Sequence, residues 1–208
     1  MTAFSDEEGK KAVEIARTVI ERLVRKERMP DFDTPDSFKR ESGVFVTLTT
    51  YPGDELRGCI GYPEPVAPLM DALKDSAVSA ASRDPRFPAV NAAELESVKV
   101  EVSLLTPPEE IVVEEAADLP KIIVVGVDGL IVHRNGARGL LLPQVPVEWN
   151  WDSEEFLCQT CMKAGVGPDA WLMPGTQVFR FQAEVFSETE PHGKVVRREL
   201  DGKDGCCD

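Results

Sequence analysis

The sequence predicts an α+β fold. Helical and strand periodicities are interleaved along the chain without a regular β-α-β alternation, which disfavours a doubly wound parallel sheet. Asn135-Gly136 sits between two apolar runs, the strongest short hairpin signal present. With 208 residues, 42% of them hydrophobic, the chain can build the core of one domain or of two small lobes.

The elements follow in order. Ser5 and Glu8 have the S-x-x-E spacing of a capping box, and Ala12, Val13, Ala16, Val19, Ile20, Leu23 and Val24 then fall on one helical face running to about Arg28. Residues 29–42, with Pro30, Pro35 and several Asp, read as a loop. Residues 44–50 and 56–60 are strands of a hairpin turned at Tyr51-Pro52-Gly53-Asp54. A second helix carries Leu69, Met70, Leu73, Ala77 and Ala80, and must stop before Arg83-Asp84-Pro85-Arg86-Phe87-Pro88. Asn91 and Glu94 suggest a short capped helix, and Val98, Val100, Val102 and Leu104 alternate as a half-buried strand. The glutamates of 109–115 read as a solvated edge, and the apolar run 122–127 has the length of a buried strand. Residues 130–134 and 137–142 form the Asn135-Gly136 hairpin. Asp152 and Glu155 cap a helix to Ala164, stopped by Gly165. A final strand spans 176–186, with Phe179, Phe181, Ala183 and Val185 on one side, and the polar tail from Glu188 is expected to be poorly ordered.

Charge narrows the function. Against 23 Lys and Arg stand 37 Asp and Glu, a net charge of −14. That argues against a nucleic-acid binder and against attraction to an anionic membrane surface. No run approaches the ~20 apolar residues of a membrane span, and the polar start MTAFSDEEGKK does not read as a signal peptide. Five cysteines, an odd number, make no disulfide framework, so a cytoplasmic, acidic protein is expected.

The segment with most chemical promise is Leu56-Arg57-Gly58-Cys59-Ile60-Gly61. Glycines inside a strand mark a bulge or a close approach by backbone or ligand. In a regular strand Arg57 shares a face with Cys59 and favours its thiolate, so Cys59 is a candidate nucleophile with Arg57 stabilising anionic charge. The competing reading makes Cys59 a small buried hydrophobe beside glycines that permit tight packing.

LRGCIG at 56–61 resembles the signature of the AMMECR-type domain family, named after a human X-linked deletion syndrome region. DPRFP at 84–88, GVDGLIV at 126–132, GLLLPQV at 139–145 and KAGV at 163–166 continue the resemblance in order, over about residues 12–188. The resemblance implies an α+β fold with two unequal lobes built on mostly antiparallel sheets flanked by helices. It also implies a single AMMECR-type domain over 1–187, leaving 188–208 as a tail. It implies company rather than a reaction: microbial relatives are often encoded beside, or fused to, Memo-type and radical-SAM-type domains.

The remaining candidates are weaker. Cys158-Gln159-Thr160-Cys161 falls mid-helix rather than at a helix start, so core packing is favoured over a redox pair. A four-thiolate zinc site adding Cys206 and Cys207 is disfavoured, and no metal site is expected. Only two histidines exist: His133, a weak partner for Cys59 beside the hairpin turn, and His192 in the tail. No G-x-S-x-G, Walker A, G-x-G-x-x-G or other cofactor-binding motif is present, so the cofactor is left open. Arg86 on its proline-bounded loop and Gln144 at the end of an apolar run join Gly58 and Gly61 as candidate ligand contacts. Trp149 and Trp151 read as core or lobe-interface residues. Two readings stand: a catalytic or ligand-binding cleft around LRGCIG, or a non-catalytic adaptor for the Memo-type and radical-SAM-type partners. Whether the protein is an enzyme stays open between them.

Overall fold

The computed structural model describes residues 4–198. Among these the helices are α1 (Asp6–Arg25), α2 (Leu69–Ser82), α3 (Leu119–Ile122), α4 (Gln144–Glu148) and α5 (Ser153–Lys163). The strands are β1 (Val44–Thr50), β2 (Leu56–Tyr62), β3 (Val98–Leu105), β4 (Glu109–Glu110), β5 (Asp128–Arg134), β6 (Ala137–Leu141), β7 (Gln177–Glu188) and β8 (Val195–Arg198). The fold is α+β, with antiparallel strand pairs and flanking helices. The chain forms two compact units, one of residues 4–105 and 184–198, the other of residues 106–183.

In the first unit, α1 starts on the expected capping box: Glu8 N–H donates to Ser5 Oγ at 3.2 Å, and Ser5 N–H donates to the Glu8 carboxylate at 2.8 Å. The helix ends at Arg25 because Lys26 turns into the left-handed region at φ 56°. Its buried face, Ala12, Val13, Ala16, Val19 and Ile20, packs with α2 against strands ordered β2-β1-β3. Val98, Val100, Val102 and Leu104 alternate inward on β3 as the sequence predicts. The loop at 29–42 holds a 3-10 turn, Asp36–Lys39, that seats Phe38 in the core, and the short helix expected near Asn91 is a 3-10 turn, Glu94–Glu96.

Residues 188–198 correct the expectation of a poorly ordered tail for that part of it. Glu188 is buried, and its carboxylate receives Arg17 Nε at 3.0 Å, Arg17 Nη2, and the Val100 N–H at 2.9 Å. Arg17 also donates to the Leu95 and Val98 carbonyls. Neutralised in this way, Glu188 tolerates burial, and β8 pairs with β7 from Val185↔Arg198 to Glu188↔Val195. Cys206 and Cys207 lie outside the described residues.

The second unit orders its strands β4-β7-β5-β6. Asn135 and Gly136 both take positive φ, 51° and 81°, the requirement of the tight turn their sequence signals. Asp152 caps α5 through the Glu155 N–H at 2.8 Å. Leu130, Val132, Phe156, Leu157, Cys161, Trp171 and Val178 form the core. The run 122–127 is not a buried strand. Val127 and Asp128 N–H both donate to the Val124 carbonyl, the Asp128 carboxylate accepts the Val124 N–H, and Gly126 turns at φ 84°. These local bonds make a loop that buries Ile123 and leaves Val124 and Val127 exposed. No helix among the described residues is long and apolar enough to cross a membrane.

Candidate functional site

The 56–61 segment becomes β2, an edge strand against β1. The hairpin register shifts within it: Thr49 faces Leu56 but Leu48 faces Gly58, so Arg57 is the unpaired residue. The shift breaks the regular alternation that put Arg57 on the face of Cys59. Arg57 instead sends Nε to Glu94 Oε1 at 2.7 Å, and Nη2 to Glu94 Oε2 at 3.2 Å and the Pro88 carbonyl at 2.9 Å. This guanidinium is buried, it holds the Glu94 carboxyl below the usual range, and its Nη1 has no hydrogen-bond partner.

Beyond the bulge Thr47 lies directly opposite Cys59, and Thr47 Oγ1 stands 3.3 Å from Cys59 Sγ. Cys59 itself is 8% exposed. Its peptide groups are held from the strand's open side. The Cys59 N–H donates to Asp84 Oδ2 at 2.9 Å, and its carbonyl accepts Arg86 Nη2 at 3.3 Å. Asp84 and Arg86 thus close the strand edge as a neighbouring strand would.

Asp84 is delivered by the end of α2 and the turn that follows, where Phe87 N–H donates to the Asp84 carbonyl. Its buried carboxylate also accepts Arg86 N, Nε and Nη2 at 3.1, 3.1 and 3.0 Å. The Arg86 bonds, aided by the Cys59 N–H, overcome burial and lower the Asp84 pKa from 3.8 to about 2. Both guanidiniums flank the Phe87 ring, at 5.9 Å for Arg57 and 5.6 Å for Arg86.

The two glycines are explained by close approach. A Cβ on Gly58 would collide with the Ala80 carbonyl oxygen of α2, and one on Gly61 with the Val44 carbonyl and Phe45 of β1. Both contacts are with the protein's own backbone. The sequence marked Arg57, Cys59 and Arg86, but it gave no role to Thr47, named Asp84 only within the DPRFP block and read Glu94 only as part of a short capped helix. Counting residues back from the 51–54 turn would place Val46 opposite Cys59, and only the bulge substitutes Thr47.

The other expected contacts, His133 and Gln144, belong to the second unit. His133 is half-buried on β5, facing Arg138 of β6 in the ladder register. Gln144 opens α4, and its Oε1 is buried with no partner. The Cys158/Cys161 pair lies within α5, and burial pushes the Cys161 thiol up, opposite to an activated redox thiol. His192 sits between Glu21 and Glu96, with ring nitrogens at 3.2 and 3.4 Å from their carboxylates.

One surface contradicts its expectation. Trp149, at the end of α4, is not core: it is 64% exposed and stacks on Trp151 with ring centroids 6.1 Å apart. Asn150 between them takes φ 52°, and Trp151 N–H donates to the Pro146 carbonyl, which turns Trp149 outward. The 123–127 loop adjoins the same helix, since a Cβ on Gly126 would touch Val147. Val124 and Val127 of this loop and Ile122 before it are exposed as well. Trp151, by contrast, is half-buried and packs against the core of the second unit, as expected of it.

The AMMECR1 family model matches residues 13–186 of the chain. A protein from Methanothermobacter thermautotrophicus is 59% identical over 188 residues, covering 89% of this chain and 96% of its own. Protein MJ0810 of Methanocaldococcus jannaschii is 50% identical over 200 residues, covering 96% of this chain and all of its own. The crystal structure of the uncharacterized protein PH0010 from Pyrococcus horikoshii matches with a TM-score of 0.77 at 48% identity, across 94% of this chain and 98% of that one. With the family pattern spanning both units and relatives matched along nearly their whole length, the chain belongs to the AMMECR1 family.

Proposed function

We propose that the protein is a non-catalytic accessory subunit that docks Memo-type and radical-SAM-type partners through the apolar surface around Trp149. The observation that carries this reading is Trp149, 64% exposed and stacked on the half-buried Trp151. Tryptophan is enriched among the residues that dominate binding energy, and an exposed indole held in place by a stacked neighbour suits a partner surface. The nucleophile reading loses the helper it needs, because Arg57 is bonded to Glu94 and the Pro88 carbonyl. The test is binding of a purified Memo-type partner from the same genome at micromolar concentration. Trp149→Ala is expected to weaken it at least tenfold, and a wild-type chain that fails to bind would overturn the proposal.

A second reading is favoured by one contact, the Thr47 hydroxyl at Cys59 Sγ, which is placed to donate to a thiolate. In that reading Cys59 attacks a substrate at the LRGCIG edge, with Gly58, Gly61 and Arg86 lining its approach. Iodoacetamide labelling of native Cys59, followed against pH, decides it. Fast labelling with an apparent pKa well below ~8.5 supports the thiolate. Labelling only after denaturation removes it.

A further inference from the structure

Glu188 leads into the tight turn that joins β7 to β8. The Thr189 N–H donates to the Lys194 carbonyl at 2.9 Å, and the Gly193 N–H to the Glu190 carbonyl at 2.8 Å. With Pro191 fixing a negative φ and His192 at φ 59°, residues 190–193 make a type II turn. The third position of such a turn belongs to glycine, because a side chain there strains the backbone. Here the glycine comes one residue later, and a histidine takes the strained place. Strain of this kind persists where surrounding contacts hold the residue to a task.

The contacts of the ring name that task. His192 Nδ1 stands 3.2 Å from Glu21 Oε1 on α1, and Nε2 stands 3.4 Å from Glu96 Oε2 on the 3-10 turn before β3. Each ring nitrogen therefore faces its own carboxylate. A neutral imidazole carries a single N–H, so it donates to one of them and turns a bare lone pair on the other. The imidazolium alone donates to both. Neither Glu21 nor Glu96 has another ion-pair or hydrogen-bond partner among the described residues. The other charged groups around the ring are accounted for differently. On α1, Lys10 pairs with Glu14 and Arg17 with Glu188, while Glu94 of the 3-10 turn is held by Arg57. Glu190 and Lys194 flank the histidine within its own turn.

We propose that the β7–β8 turn is a proton-operated latch: protonated His192 clasps Glu21 of α1 and Glu96 of the 94–96 turn together, and loss of the proton releases the turn. The proton comes from solvent and returns to it, since the His192 side chain is 37% exposed. The latch tightens as pH falls through the range where imidazole titrates, and slackens as pH rises through it. It also bounds a cavity. His192, Gly193 and Lys194 form one wall of a groove of about 750 Å³ whose other wall is α1. Arg17 and Glu188 lie along the same groove, so the state of the latch sets how closely the turn stands over them.

The experiment follows amide exchange with solvent by nitrogen-15 NMR on the full chain, at about pH 5.5 and about pH 8.5, on either side of the ordinary imidazole value of about 6.5. Each rate is divided by that of the unfolded chain at the same pH. The Thr189 and Gly193 amides, which the turn's own bonds hold, are expected to be at least threefold better protected at the lower pH. The Asp54 amide, bonded to the Thr50 carbonyl in the β1–β2 turn, should keep the same protection at both. His192→Gly relieves the strained φ and keeps the turn, yet its protection should no longer depend on pH. Glu21→Gln combined with Glu96→Gln should abolish the same dependence with the histidine in place. Equal protection of the wild-type turn at the two pH values would overturn the proposal. So would a pH response that survives in His192→Gly, because the turn would then answer to another group.

Discussion

At the Cys59 junction four N–H groups converge on the Asp84 carboxylate, two arginines are bonded to two acids, and the glycines are filled from behind by backbone. Around Trp149 the balance is reversed: an indole stands 64% exposed, and on the same helix a buried amide oxygen of Gln144 lacks a partner. The first region has its polar groups answered almost entirely from within the chain and therefore holds shape. The second leaves apolar area for something else to cover and a buried acceptor unmet. A motif dense in Arg, Cys and Gly can thus be architecture, while a plain-looking Trp-Asn-Trp is the better candidate for contact.

The comparison breaks most readily at Gly58. Gly58→Ala drives a methyl into the Ala80 carbonyl, and neither strand nor helix can yield cheaply. A loss of about 3 kcal/mol is expected, read as a fall in the urea midpoint. A neutral Gly58→Ala would mean that β2 is not pressed onto α2 and that its glycine serves a ligand.

Asp84 gives the next largest effect and a pH signature. Its folded pKa of about 2 lies below the ordinary 3.8, so its contribution is complete above about pH 4 and is lost as pH falls through about 2. The difference corresponds to roughly 2 kcal/mol. Asp84→Asn should lower stability at pH 7 by about that amount and flatten the acid limb of the stability curve. An unchanged acid limb would show that the Arg86 and Cys59 bonds are not maintained in solution.

Trp149→Ala should be the mildest, within about 0.5 kcal/mol in urea unfolding, because an exposed side chain has little to lose on truncation. Partner affinity should fall while stability does not. A large stability loss would instead make the Trp149–Trp151 stack a structural element and weaken the docking reading.

Much of this was legible in the residues themselves. The capping box at Ser5, the alternation on β3 and the Asn135-Gly136 turn are local signals, and local bonds satisfy them. What escaped notice depends on distant partners. Residues 122–127 read as a strand because hydropathy alone cannot register that the Asp128 carboxylate captures the Val124 N–H. Glu188 read as the start of a tail because its charge looks solvent-bound until Arg17, 171 residues away, is placed against it. At the candidate site, Cys59 and Arg57 stand out in the motif, but their separate partners, Thr47 and Glu94, follow from a one-residue bulge whose position the glycines alone did not fix.

The Arg17–Glu188 bond has a consequence for synthesis. The first unit is interrupted: residues 106–183 are threaded between its two parts. A ribosome therefore releases the whole of the second unit before Glu188 emerges to meet an arginine made near the beginning. Until that moment α1 carries a cation on its inward side with no counter-charge, so the earlier-made unit is the later one to close. A chain stalled after Ala183 would hold a complete second unit and an unfinished first, an exposed state that quality-control proteases would read as incomplete.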